Sequence, residues 1–323
     1  MSTSWAEVES GIYGNPELSD QLRFVATKKM RMYDLVTPAD DFALGKNSGD
    51  TIGFKIAGPI AGTATTALSE FLPVPMATIP QYEVSFTVYQ YGLAVPWTGL
   101  REDLDRITVE DMVMHALKEH SARTHNVLIA NALTSGRSFC YSATGAATFT
   151  LTTNGTPSGT AAAGFSLYHA RKIRLSLVKY NVPPADGENY AAVASPTVID
   201  GLLGDASSAN GGYVDVAKYS PGMADGILNG EVGTVQKIRI VEDNSNAISD
   251  AIGSGSAFES MFVTGFDACR EVMVYPMQIL INTNLGGDFG RQKAAAWLSL
   301  LGFKTPWIYG THGQGTVLHY TTA

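Results

Sequence analysis

The chain has 323 residues and a formal charge of −8, from 22 Lys and Arg against 30 Asp and Glu. Its length allows about two domains of ~150 residues each, and its acidic balance argues against a general basic face for nucleic acid. Only 16% of residues are charged, against about 25% in ordinary soluble domains, while 33 are Gly and 45% are apolar, which points to β-structure and to surface covered by other subunits.

Two cysteines, Cys140 and Cys269, are too few for a disulfide framework and indicate a reducing compartment. Residues 1–11 lack the basic-then-apolar run of a signal peptide. No apolar run reaches the ~18 residues of a membrane span. Without secretion the sequon Asn154-Gly155-Thr156 carries no weight.

The first fifty residues read as an arm. A helix is expected over 17–33, begun by Asn15-Pro16, and its cationic end suits the negative helix C-terminus. Thr37-Pro38 breaks it, and 45–50 is loop-like. Residues 51–97 read as a long hairpin. Its first limb alternates through Ile52, Phe54 and Ile56, and its return limb through Tyr82, Val84, Phe86 and Val88. At Val88-Tyr89 the apolar phase moves by one residue, to Tyr91, Leu93 and Val95, as at a β-bulge. Between the limbs, 58–80 is a Gly, Pro, Ala and Thr-rich tongue with no helical period. Connections that long without a core of their own are uncommon and usually functional. An isolated hairpin is marginal in water, so this one needs a partner. The side chains expected at that inter-subunit contact are Ile52, Phe54, Ile56, Leu68, Phe71, Tyr82, Val84 and Phe86.

Residues 108–133 form the best-defined element, a helix with Val109, Met112, Val113, Ala116, Leu117, Val127 and Leu128 near helical spacing and Thr108 as its cap. At 1.5 Å per residue it would be about 39 Å long, a spine rather than a filler. A weakly alternating stretch follows over 139–153. Ser166 can cap a helix over 167–180, ended by Pro183-Pro184. A short buried strand is expected over 190–194, a short helix over 196–203 and a loop over 205–212. Strands are expected over 234–242, 261–264 and 272–282, with a flexible loop at 244–255. Residues 294–301 fit helix or strand, and 307–309 and 316–320 read as closing strands. There is no internal repeat, and the class is α+β.

The chemical candidates are weak. His115, His120 and His125 recur every five residues, which puts no two on one helix side, whereas zinc pairs need i, i+4 spacing. Asp288-Phe289-Gly290 spells a kinase tripeptide but lacks the accompanying Gly-rich and His-Arg-Asp loops. Residues 310–315 are Gly-rich without the strand-loop-helix of a phosphate cradle, and Gly253-Ser254-Gly255-Ser256 is no nucleophile elbow. Glu102, Asp103, Asp105, Glu110 and Asp111 could ligate a cation, but the interleaved Arg101 and Arg106 favour an ion-paired helix approach. Cys140 and Cys269 read as buried small apolar groups. No catalytic, cofactor or metal constellation emerges. The short basic runs, Lys28, Lys29 and Arg31 and then Arg171, Lys172 and Arg174, offer weak charge contacts to DNA phosphates or to a neighbouring subunit.

The order of arm, twisted hairpin, spine helix, α+β middle and returning strands resembles the HK97-like fold of tailed-phage major capsid proteins. Individual stretches resemble the N4-type capsid family. They are Lys46-Asn47-Ser48-Gly49-Asp50-Thr51-Ile52, Ala67-Leu68-Ser69-Glu70, Val88-Tyr89-Gln90-Tyr91-Gly92 leading to Trp97-Thr98-Gly99-Leu100, and Gly230-Glu231-Val232-Gly233. The likeness covers roughly residues 40–320, and order and spacing carry it. The chain departs from that family at 287–290, where Gly-Asp-Phe-Gly stands in place of an Asp-Pro. The resemblance implies an N-terminal arm (1–50), an extended loop overlapping a neighbour (51–97) and a peripheral domain (98–185) carrying the spine helix. It implies further an axial domain (186–282) and returning peripheral strands (283–323). It implies pentamers and hexamers forming an icosahedral shell around non-specifically held double-stranded DNA, in the virion after assembly in the host cytoplasm. A separate scaffolding protein, since the chain opens directly on the arm, a portal and a decoration protein are the expected partners, with no membrane. An encapsulin-like compartment shell, a virion decoration or tail protein and an enzyme with an unrecognised site are the alternatives.

Overall fold

Alternation and helical spacing decide most of the elements. The computed structural model describes residues 31–37, 51–58, 60, 67–68, 70, 73–105, 108–136, 138–142, 148–153, 164–204, 231–244, 258–287, 289–306 and 316–322. The expected 17–33 helix lies outside these residues except at its end, where Met32–Leu35 is a 3-10 turn instead, leading into β1 (Val36–Thr37). The 307–309 strand and the loops at 205–212 and 245–255 also lie outside the described residues.

β2 (Thr51–Ala57), β3 (Gln81–Thr87) and β4 (Tyr89–Thr98) follow. Val88 stands outside both neighbouring strands. Across it the inward set changes from Val84, Phe86 and Val88 to Tyr91, Val95 and Trp97, so the expected phase change is present, with Leu93 left exposed. The Thr98 hydroxyl accepts from the Arg101 N–H at 3.4 Å and starts α1 (Gly99–Leu104). The spine is α2 (Val109–Thr134). Its buried stripe runs Val109, Val113, Leu117 and Ser121, then Asn126, Ile129, Ala130 and Leu133, while Ala116 and Val127 face out, against the sequence expectation.

The weak alternation over 139–153 resolves into two antiparallel strands, β5 (Ser138–Tyr141) and β6 (Thr150–Thr152). α3 (Leu167–Lys179) opens with a capping box in which His169 takes the place usually held by Glu. Its Nδ1 accepts from the Ser166 N–H at 3.1 Å, and Nε2 lies 2.9 Å from the Thr148 carbonyl. β7 (Tyr190–Ala194) and α4 (Pro196–Gly204) match expectation closely. The single strand expected over 234–242 is instead a hairpin of β8 (Glu231–Val235) and β9 (Ile238–Glu242). Its two turn residues, Gln236 and Lys237, both take positive φ, at 51° and 63°. β10 (Phe258–Thr264), β11 (Cys269–Asn282), β12 (Gln292–Lys304) and β13 (Thr316–Thr322) complete the chain, so 294–301 is strand.

The strands form a four-stranded sheet ordered β1-β11-β12-β4, a seven-stranded sheet ordered β6-β5-β13-β10-β7-β9-β8, and the β2-β3 ribbon. The chain divides into two compact units. The first contains Tyr91–Ser121 and Met277–Ser299, and its core joins Trp97, Val109, Val113, Leu117, Ala295 and Trp297. The second draws on Lys28–Gln90, Ala122–Pro276 and Leu300–Ala323. There the seven-stranded sheet buries Ala192, Ala194, Ile240, Met261 and Val263 against Ile173 and Leu177 of α3 and Val198 and Leu202 of α4. A neighbouring cluster packs Met32 and Leu35 on Ile129, Leu133, Phe139 and Phe262. Three buried polar side chains fix the entering chain. Asp243 accepts from the Arg31 N–H at 2.9 Å, Asn126 from the Met32 N–H at 3.1 Å, and Glu271 from the Tyr33 hydroxyl at 2.5 Å.

Candidate self-association surface

The ribbon is built from residues that alternate, and its two limbs pair in register from Thr51 opposite Thr87 to Ala57 opposite Gln81. One face of its base is covered by the same chain. Val84 and Phe86 are 2% and 1% exposed and cluster with Val88 and Val272, joined by Ile56, Val274 and Leu300. The Lys304 ammonium donates to the Ser85 carbonyl at 2.6 Å. At Gly302 a Cβ would lie 2.6 Å from the Thr87 carbonyl oxygen, so only glycine lets the backbones approach this closely.

Beyond the base that cover ends. The Gly58 N–H donates to the Pro80 carbonyl at 2.8 Å and closes the ladder. Of the described tongue residues, Ile60, Leu68, Val74, Met76 and Ile79 all stand exposed, Leu68 at 65% and Met76 at 97%. Exposed apolar groups gathered in one segment mark an interaction site more than scattered single ones do. Of the eight expected contact residues, Val84 and Phe86 are therefore already buried within the chain, Ile56 packs beside them, and Leu68 and Tyr82 are exposed. Ile52 and Phe54 sit opposite Phe86 and Val84 in the ladder, and Phe71 lies outside the described residues.

Of the charged candidates, Arg31, Arg101 and Glu102 are engaged locally. Lys28 and Lys29 lie outside the described residues, and the Arg31 guanidinium is 3.8 Å from Asp34. In the carboxylate run, Arg101 pairs with Asp105 at 3.8 Å. Glu102 takes a different partner from the one expected. The Lys293 ammonium donates to it at 2.8 Å and the Trp97 indole at 3.1 Å, holding its carboxyl below the usual range. Among the described residues no three His, Cys, Asp or Glu side chains gather as a metal site would need, and no helix is long and apolar enough to cross a membrane. Phe289 and Gly290 of the kinase-like tripeptide stand in a turn, with Phe289 fully out in solvent.

Two histidine roles were invisible in the spacing. His120 Nδ1 accepts from the Trp297 indole N–H at 3.2 Å, and His125 meets the Phe303 ring edge-on at 6.5 Å. Burial lowers the His125 pKa from its ordinary 6.5. Both cysteines are buried as expected. Burial pushes the Cys140 thiol well up and the Cys269 thiol up to about 12. A cavity of about 490 Å³ beside Tyr190 and Ala192 is edged by Arg31, Asp34, Asp186 and Arg239, and the Arg239–Asp186 pair closes to 2.6 Å. Its lining presents paired charges and no Ser, Thr, Cys, Lys or His.

No family model and no curated protein matches the sequence. Solved structures do match, over nearly the whole of both chains. The acid-stable capsid of Helicobacter pylori bacteriophage KHP30 superposes at a TM-score of 0.70 and 10% identity, covering 98% of this chain and 98% of that one. The capsid asymmetric unit of cyanophage Pam1 gives 0.64 and 15%, covering 96% of each. A structure from Mycobacterium phage Che8 gives 0.62 and 17%, covering 94% and 96%. At these identities the likeness is one of fold.

Proposed function

We propose that this chain, whose α+β fold is the HK97-like fold of phage capsid proteins, is a major capsid protein. Copies assemble as pentamers and hexamers into the icosahedral head shell that encloses phage DNA. One observation carries the proposal: the fold match covers 96% to 98% of this chain and of the phage capsid chains it superposes on. The exposed tongue supports it, because a shell offers each copy a neighbour on which to bury such a segment. The role is structural and not enzymatic, and the protein's place is the virion, with assembly in the host cytoplasm.

In this proposal residues 51–97 overlap a neighbouring subunit and 1–50 form an arm. Residues 98–185 and 283–323 make the peripheral domain, and 186–282 meet around the symmetry axes. With Val84 and Phe86 buried within the chain, the contact falls to the outer residues, Leu68, Tyr82, Val74 and Met76 among them. The narrower N4-type assignment rests on the order of the short motifs. A scaffolding protein, a portal and a decoration protein would be the partners, and packaged DNA would be held without sequence preference.

Electron microscopy of the purified protein tests this directly, with shells, tubes or rings expected. Deleting 58–80 and joining the limbs with a short turn should leave a folded subunit, by circular dichroism, that forms no shells. Wild-type-like particles from that variant would overturn the assigned role of the tongue.

A further inference from the structure

α3 is the cationic helix of an acidic protein. Residues 167–179 hold Arg171, Lys172, Arg174 and Lys179 and no acidic residue, although Asp and Glu outnumber Lys and Arg over the chain. None of the four is in an ion pair among the described residues, and Lys172 lies over the Tyr168 ring at 5.3 Å. Opposite the buried Ile173 and Leu177, the helix turns Leu175 and Val178 to solvent, so its outer face is an apolar centre with cations at its edges. That is the layout of a protein interface, with an apolar core inside a polar rim.

Elsewhere the same chain carries a face of the opposite charge. In α1, Leu100 and Leu104 are 70% and 77% exposed, with Asp103 on the same side of the helix. The Gly99 N–H donates to the Arg291 carbonyl at 2.8 Å, which sets α1 beside the turn bearing Phe289, itself 98% exposed. Residues 99–111 contain five carboxylates and two arginines. Glu102 turns to Lys293 and Asp105 to Arg101, whereas Asp103 and Asp111 are exposed and in no ion pair among the described residues. Each face has an apolar centre with no cover among the described residues, and the two carry opposite net charge.

We infer that the outer face of α3 docks on the α1 face of a second copy of this chain. The contact uses two different patches and is therefore heterologous, the kind that propagates into rings or larger assemblies. The inference rests on the shell reading only in taking another copy as the occupant. Charge complementarity of this kind fixes partner and register more than bulk affinity, and exposed charge pairs weaken as salt rises.

The test is charge reversal in the full chain, followed by sedimentation velocity at low and high salt. Arg171→Glu with Lys179→Glu, and separately Asp103→Lys with Asp111→Lys, should each weaken self-association by about tenfold or more. Combining all four should restore it. Uncharged Leu104→Ser and Leu175→Ser variants, checked for folding by circular dichroism, should each weaken it as well. Association unchanged in the reversals, or retained in both serine variants, overturns the contact while wild-type assembly leaves the shell reading standing. Loss confined to the α3 reversal, and not repaired by the α1 reversal, assigns that helix to a polyanion such as packaged DNA and also overturns the contact. A wild-type protein that stays monomeric at every concentration overturns both.

Discussion

At the scale of single residues, backbone proximity and burial set what the chain tolerates. Gly302 and Gly92 lie on β12 and β4, where a Cβ would meet the Thr87 and Trp297 carbonyl oxygens at 2.6 and 2.7 Å. A carbonyl held in a sheet cannot move aside as a side-chain end can. Gly302→Ala should therefore cost about 1–3 kcal/mol, as overpacking does, and a lowered denaturation midpoint would register it. His125 gives the fold a pH dependence whose sign follows from burial. Its folded-state pKa lies below 6.5, so the unfolded chain takes up the proton first as the solution is acidified. Stability from this group is present above pH 6.5 and declines as pH falls below that value. Replacing it by His125→Gln should flatten the slope of unfolding midpoint against pH in that window. None of this was legible in the sequence. The spacing of His115, His120 and His125 turns each about 140° from the one before, yet it says nothing of Trp297, which His120 meets from 177 residues away. Periodicity reports which side a residue takes and not what waits there.

Elements were legible where one period dominates. The strand 190–194 and the α3 and spine helices lie within a residue or so of where alternation, capping and helical spacing put them. The ribbon limbs and the phase change at Val88 were equally plain, because each rests on strict alternation. The β8-β9 hairpin was missed for a chemical reason. Two-residue turns with positive φ favour Asn-Gly, and this one uses Gln236 and Lys237, which carry no turn signal. Replacing the pair by Asn-Gly should raise stability by about 1 kcal/mol through relief of that conformation, and thermal unfolding would show it. The spine stripe was misjudged at Val127 because buried polar residues carry the stripe there. Ser121 donates to the Lys118 carbonyl at 2.8 Å and approaches the Met277 sulfur at 3.1 Å, and Asn126 accepts from Met32. A search for apolar spacing passes over such positions.

For the whole molecule, the balance of covered and uncovered surface is the main finding. The base of the ribbon is buried on its own chain, and the tongue keeps large apolar groups in water. The sequence foretold the exposed tongue but not the cover of the ribbon base, since the packing of Val84 and Phe86 on Val272 and Val274 of β11 and Leu300 of β12 is a long-range fact. If copies cover the tongue for one another, as proposed, the chain gains stability by mass action, and its apparent unfolding temperature then depends on protein concentration. Both native thiols are sealed in the core, with pKa values raised far from the reactive range. A cysteine introduced in place of the wholly exposed Met76 would thus be the single fast-reacting site for a maleimide dye. The tongue could be followed by fluorescence in an otherwise unlabelled subunit, without first removing any native residue.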